Sequence, residues 1–92
     1  MLAKHARPIH PRAFKTAWFA KHAKKARISD IMLCEAFREI QAGRCDDLGG
    51  GVFKKRLGNN DYRSIILSKS REHWIYEYLF GKIGATISTT KS

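Results

Sequence analysis

The chain has 92 residues, which is enough for one compact domain with a modest core and too few for two. Its 18 Lys and Arg residues against 8 Asp and Glu residues give a formal net charge of +10, which favours a polyanionic partner, nucleic acid first and a membrane surface second. No apolar run is long enough to span a bilayer and no secretion signal is visible, so we expect a cytoplasmic protein.

The first residues of the chain are basic and poor in large apolar side chains. Residues 1–13 contain Lys4, Arg7 and Arg12 together with two histidines and two prolines. Such a segment has little to bury in a core. We therefore predict a flexible basic arm over residues 1–13, followed by a single folded domain over residues 14–92.

Two amphipathic helices are predicted next, after a short extended piece that begins at Phe14. Ser29 or Asp30 is a suitable N-cap for the second helix, and Gly43 is a plausible stop. The apolar side chains that follow helical spacing are Trp18, Phe19, Ala23 and Ala26 in the first helix and Leu33, Phe37 and Ile40 in the second.

Three strands complete the predicted fold. Residues 44–51 end in three glycines and predict a turn into the first strand, Val52–Leu57. The residues Gly58-Asn59-Asn60-Asp61 have a hairpin-forming composition and lead into Tyr62–Leu67, and Trp74–Phe80 follows. The predicted class is α+β, in the order β-α-α-β-β-β, with two helices packed on one face of a mostly antiparallel sheet and the other face partly open.

The strongest chemical signal is a group of cations on the first two of these strands. Side chains alternate along a strand, so Lys54 and Arg56 share one face while Lys55 points to the other. The hairpin is predicted to place Arg63 beside Lys54 and Arg56. Like charges on adjacent strands repel, so the cluster is best explained by an anion that neutralises it, and a phosphodiester meets that requirement.

Short blocks in a fixed order give the chain a family resemblance. These blocks are Phe14-Lys15-Thr16, Trp18-Phe19-Ala20, Asp47-Leu48-Gly49-Gly50-Gly51, Lys54-Lys55-Arg56, Tyr62-Arg63 and Phe80-Gly81-Lys82. In them the chain resembles the RelE/HigB toxins of bacterial type II toxin-antitoxin systems, within the RelE/ParE superfamily. The resemblance implies a RelE-like fold and a ribosome-dependent messenger RNA endoribonuclease, an mRNA interferase that inhibits translation without a metal or other cofactor.

The chemistry of RNA cleavage predicts a role for each of the clustered cations. Cleavage through the ribose 2′-hydroxyl needs a base for that hydroxyl and stabilisation of the phosphorane charge. Neighbouring cations favour a neutral lysine amine, whereas arginine stays charged, so Lys54 is the predicted base and Arg56 and Arg63 are the predicted clamp. The resemblance points to the same three as catalytic, and we add Lys55, Tyr62 and Lys82 as RNA-binding residues.

The resemblance also implies partners. They are messenger RNA, the ribosome and a cognate antitoxin, expected to be a small helix-turn-helix protein. Operator DNA would be reached only through that antitoxin, and no membrane partner is expected.

Two alternatives remain open from the sequence. Relatives usually carry an Arg after the position of Lys82, where this chain has Ile83. The chain is therefore alternatively a catalytically degenerate toxin homologue, or an RNA-binding protein, that only docks its antitoxin. A ParE-like inhibitor of DNA gyrase is a second alternative, because fold and function separate readily within one scaffold.

Histidines and aromatic residues were weighed as further functional groups. The four histidines, His5, His10, His22 and His73, lack the spacing of a metal site. Trp74, Tyr76, Tyr78 and Phe80 recur at strand spacing and are predicted to lie on one face of the last strand. Core packing is the preferred interpretation of that row, with stacking against RNA bases as the alternative.

Overall fold

Six strands and two helices make up the fold, and the structure, a computed structural model, describes residues 6–58 and 61–81. In chain order the elements are β1 (Ala6–His10), β2 (Ala13–Thr16), α1 (Ala17–Lys25), α2 (Asp30–Gln41), β3 (Asp46–Gly49), β4 (Val52–Leu57), β5 (Tyr62–Ser70) and β6 (His73–Gly81). All six strands belong to one sheet in the order β1-β2-β6-β5-β4-β3.

The predicted α+β class and the two helices are confirmed, but the predicted order lacks two strands. Residues 6–10, assigned to a flexible arm, instead form β1, which pairs antiparallel with β2. Residues 46–49, assigned to a turn, form β3 against β4. Both are outermost strands held by backbone pairing, and every residue of β3 is exposed, so no apolar alternation marks them in the sequence. The proposed domain start at residue 14 stays a prediction.

Both helices begin at side-chain caps. The hydroxyl of Thr16 accepts a hydrogen bond from the backbone N–H of Phe19 at 3.0 Å, and that of Ser29 accepts one from Met32 at 3.2 Å. Each bond satisfies a donor that the first turn of a helix leaves unpaired. Of the two predicted caps for α2, Ser29 is therefore the residue used.

In the part of the chain that the structure describes, no helix is long and apolar enough to cross a bilayer.

The core lies between the helices and one face of the sheet, which we call the helix face. Its buried cluster combines residues of both helices, of the connection between them and of three strands: Phe19, Ala23, Ile28, Leu33, Ala36, Ile40, Leu57, Ile66, Tyr76 and Leu79. The opposite side of the sheet is called the second face. The pairing of β4 with β5 places Val52, Lys54 and Arg56 there, because Leu57 points to the helix face and side chains alternate.

A β-bulge interrupts the last strand. Ile65 pairs with Tyr78 and Ile66 pairs with Tyr76, which leaves Glu77 as an extra residue of β6. Tyr76 is fully buried on the helix face. Beyond the bulge Leu79 is buried there instead, so Tyr78 turns toward the second face.

Beyond the bulge, no strand of the described ranges pairs with β6 on the side where β2 pairs before it. β2 runs parallel to β6, and their pairing ends at Lys15 and Tyr76. The chain then leaves the sheet into α1 at Ala17, while β6 continues to Gly81. The first turn of α1 therefore borders the part of β6 that carries Tyr78.

Candidate nucleic-acid interface

Three cations meet on the second face at the hairpin of β4 and β5. Arg56 is the direct cross-strand partner of Arg63, and Lys54, two residues before Arg56, is the partner of Ile65. The predicted shared face of Lys54, Arg56 and Arg63 is therefore confirmed as geometry. Directly opposed residues have Cβ atoms about 5 Å apart, so the two guanidinium groups lie within reach of one small anion.

Like charges face one another at this point of the sheet, where they destabilise the hairpin. Arg56 is exposed, and Arg63 donates from Nη1 to its neighbour's backbone oxygen, Tyr62 O, at 3.3 Å. On the other side of β4, Asp46 is the cross-strand partner of Lys54 and supplies one carboxylate. The patch thus brings Lys54, Arg56 and Arg63 together, a concentration of positive side chains that suits a phosphate group.

A shallow cavity of about 220 Å³ adjoins the cations at the β3 edge, lined by Arg44, Cys45, Asp46, Lys54, Lys55 and Arg56. Burial is the largest cause that raises the pKa of the Cys45 thiol. The thiol is therefore protonated at neutral pH and is a poor nucleophile. The chemistry of this cavity comes from its cations and not from the cysteine.

Lys55 points away from the other cations. Its Nζ lies 2.5 Å from Oε1 of Glu39 and donates to the backbone oxygen of Arg44 at 3.0 Å. Its side chain is 13% exposed. Lys55 therefore connects β4 to α2 and to the segment before β3. Its predicted role in RNA binding stays a prediction, and its side chain lies on the other side of the sheet from Lys54 and Arg56.

This ion pair predicts a stability effect that depends on pH. The hydrogen bond and charge of Lys55 lower the pKa of Glu39. A lowered pKa in the folded state adds stability above about pH 4.3, the ordinary value for Glu, and that stability is lost as pH falls through the folded value. We expect Glu39→Gln to have a lower Tm than the wild type at pH 7 and a smaller deficit at pH 3. Glu35→Gln, an exposed carboxylate on the same helix, is the control. An equal deficit at both pH values would contradict the assignment.

Of the other two predicted RNA-binding residues, only Tyr62 lies in the described part of the chain. Tyr62 is half-buried and packs against the hydrophobic core on the helix face. Lys82 lies outside the described residues. Of the five predicted site residues in the described ranges, the structure thus brings together Lys54, Arg56 and Arg63 on one face.

The aromatic row of β6 is split, and the prediction of one shared face is wrong. Tyr76 and Trp74 pack with the core, where the Tyr76 hydroxyl donates to Leu33 O at 2.9 Å. Tyr78 and Phe80 lie on the second face, with ring centroids 6.1 Å apart. The bulge at Glu77 causes the split, and nothing in the spacing of the aromatic residues reveals it.

Tyr78 is also part of a longer series of rings that the sequence did not predict. Trp18, from the first turn of α1, stacks on Tyr78 at 4.7 Å and 13° between ring planes. His22 stacks on the Trp18 ring at 3.7 Å and 16°. We call His22, Trp18, Tyr78 and Phe80 the aromatic ladder. It runs from the first turn of α1 onto the second face of the sheet at β6.

Comparison with known proteins gives one finding. The family model described as "RelE toxin of RelE / RelB toxin-antitoxin system" matches residues 11–90. No curated protein and no solved structure matches the chain. The matched range includes both helices and the strands β4 to β6 that carry the cations and the aromatic ladder.

Proposed function

The chain belongs to the RelE family of toxins of toxin-antitoxin systems, and from this premise we propose that it cleaves messenger RNA on the ribosome and so inhibits translation. The observation that supports the proposal is the placement of Lys54, Arg56 and Arg63 on one face of two paired strands. Guanidinium groups on directly opposed residues are well placed to bind the oxygens of one phosphate from two sides. The backbone of an RNA chain supplies such an anion at every nucleotide.

These residues carry the base and the charge-stabilising groups that the chemistry requires. Lys54 accepts the proton of the ribose 2′-hydroxyl as that oxygen attacks the adjacent phosphorus. Arg56 and Arg63 bind the non-bridging oxygens and stabilise the charge of the phosphorane. The bond from phosphorus to the 5′-oxygen then breaks, which leaves a 2′,3′-cyclic phosphate on one fragment. The 5′-oxygen takes a proton from the surroundings and leaves as a 5′-hydroxyl.

The partner that holds such a toxin inactive is a cognate antitoxin, which family membership implies. We propose a small helix-turn-helix protein, which would connect the toxin to operator DNA while the toxin itself makes no DNA contact. The net charge of +10 favours an acidic contact surface on that partner. The proposal places the protein in the cytoplasm, where ribosomes and messenger RNA are.

The proposed activity is tested with purified protein in a reconstituted translation reaction. We expect primer extension to show new 5′ ends within translated codons, and we expect no cleavage of the same RNA when ribosomes are omitted. The fragments should carry a 2′,3′-cyclic phosphate. Translated messenger RNA that stays intact at toxin concentrations equal to those of the ribosomes would sink the proposal.

Both alternatives would leave the messenger intact in this experiment, and further assays separate them. A degenerate toxin or simple RNA-binding protein would bind its antitoxin, or RNA, and leave every messenger intact. A gyrase inhibitor would block the supercoiling of plasmid DNA while the messenger stays uncut. Each assay therefore separates one alternative from the proposed nuclease.

A further inference from the structure

We propose that Arg44 binds the RNA phosphate next to the one that is cleaved, in the shallow cavity at the β3 edge. This inference deepens the proposed function, because it rests on RNA as the substrate and assigns a further phosphate subsite to it. Arg44 is then an RNA-binding residue that positions the substrate, while Lys54, Arg56 and Arg63 keep the roles already given.

The backbone of Arg44 is fixed where α2 ends. Gly43 has a positive φ of 84°, and its N–H donates to Ile40 O at 3.0 Å. The next N–H along the chain, that of Arg44, donates to Glu39 O at 2.8 Å. These two bonds form the Schellman motif that ends many helices at a glycine. Lys55 donates to the Arg44 backbone oxygen at 3.0 Å. The backbone at Arg44 is therefore held on both sides of its Cα, and its side chain starts from a defined point.

The register of β3 and β4 directs Arg44 toward the cation cluster. Asp46 pairs with Lys54. Because the two strands are antiparallel, the position two residues before Asp46 lies beside the position two residues after Lys54, which is Arg56. Arg44 and Arg56 accordingly line the same cavity. Arg56 is opposed by Arg63 on its other side. The three arginines thus form a row that extends about 10 Å, since neighbouring strands lie about 4.8 Å apart.

The Arg44 side chain is available to a ligand. The residue is exposed, and within residues 6–58 and 61–81 its guanidinium forms no ion pair. The carboxylate of Glu39, whose pKa is lowered chiefly by Lys55 and less by Arg44, is ion-paired to Lys55. Asp46 lines the cavity from β3 and lies opposite Lys54. An exposed guanidinium held at its backbone can bind two oxygens of one phosphate.

A row of separate cations favours a polyanion over a single acidic side chain. RNA presents a phosphate at every nucleotide. A strand with one phosphate at Arg56 and Arg63 presents its neighbouring phosphate to the cavity, whose volume of about 220 Å³ has room for such a group. One carboxylate from a protein partner would reach only one part of the row. The arrangement therefore fits two successive phosphates of a single strand.

The test measures RNA affinity as a function of salt concentration. Fluorescence anisotropy follows a labelled RNA in which 2′-O-methyl groups prevent cleavage. We expect Arg44→Ala to weaken binding about tenfold and to lower the salt slope of log affinity by about 0.7, the value for one phosphate contact on a single strand. Arg44→Lys should keep the slope and recover only part of the affinity, because an ammonium group lacks the bidentate geometry.

The matched control is Arg38→Ala, which removes an exposed arginine from α2. It should leave affinity and slope close to those of the wild type. The Tm of Arg44→Ala should also stay unchanged, because both hydrogen bonds of Arg44 described above use backbone atoms.

Two results would overturn the subsite. One is an Arg44→Ala variant with the RNA affinity and salt slope of the wild type, including a variant that instead loses its cognate antitoxin, since Arg44 would then be a protein contact. The other is an equal loss in Arg38→Ala, which would leave only general electrostatic attraction.

Cleavage on ribosomes separates the subsite from the proposed function. A neutral methylphosphonate is placed in the messenger on one side or the other of the cleaved linkage. In one of the two positions it should slow the wild type about tenfold and have no effect on Arg44→Ala, which has already lost that contact. Binding that depends on Arg44 in a protein that never cuts messenger RNA would support the subsite and reject the nuclease. Cutting with the same kcat/KM in wild type and Arg44→Ala would support the nuclease and reject the subsite.

Discussion

Replacing Arg63 by alanine is expected to lower the rate of messenger cleavage about 100-fold or more, because one of the two groups that stabilise the phosphorane charge is lost. Arg63→Lys should recover only a small part of the rate, since an ammonium group cannot bind two phosphate oxygens in the bidentate manner of a guanidinium. Lys54→Ala should cost a similar factor through loss of the base. Single-turnover cleavage on translating ribosomes measures each effect.

The matched control for these variants is Lys69→Ala. Lys69 is an exposed cation on the same strand as Arg63, and its removal changes the net charge by the same amount. We expect it to lower RNA affinity slightly, through general electrostatics, and to leave the cleavage step unchanged. If Lys69→Ala and Arg63→Ala lost activity equally, only the net charge would matter and the assigned roles would be wrong.

Replacing Tyr76 by alanine is expected to cost the largest share of folding stability, about 3 to 5 kcal/mol. The Tyr76 ring is fully buried, with its centroid 5.1 Å from that of Phe19, and its hydroxyl donates to Leu33 O. The side chain thus contacts both helices from the middle of β6. A domain of this size has about 5 to 15 kcal/mol in total, so the variant should be partly unfolded at 37 °C.

Urea denaturation of Tyr76→Phe provides the comparison. It removes only the hydroxyl and should cost about 1 kcal/mol of folding stability.

The same variant tests the effect of alkaline pH on stability. Burial is the largest cause that raises the pKa of the Tyr76 phenol above its ordinary value. A raised pKa means that the folded state keeps the phenol neutral at a pH where the unfolded state ionises it. The stability contributed by the buried phenol is therefore complete below about pH 10, the ordinary pKa of tyrosine, and is lost as the pH rises further. The wild type should therefore lose stability above that pH more steeply than Tyr76→Phe. Equal slopes would show that ionisation of Tyr76 does not cause the loss of stability at alkaline pH.

Much of the fold follows from local patterns in the sequence. The bounds of β4 were predicted as Val52–Leu57 and are observed there, since turn-forming residues limit the strand on both sides. The N-cap of α2 and the shared face of Lys54 and Arg56 follow from rules that act over a few residues. β1 and β3 were missed because backbone pairing holds them, and their side chains carry no apolar period.

By itself, the sequence determined that this protein is a basic α+β domain of the RelE family with three cations on one side of a hairpin. Alternation along a strand and the favoured turn are local properties, and a reader of the sequence can apply them directly. Only the tertiary structure decided that Lys55 turns to Glu39 and that Tyr76 and Tyr78 face opposite ways. It also decided that Trp18, sixty residues before Tyr78 in the sequence, stacks on it. The first outcome depends on how α2 packs beside β4, and the other two depend on a bulge in β6 and on where β2 leaves the sheet. All of these are set by contacts between distant segments.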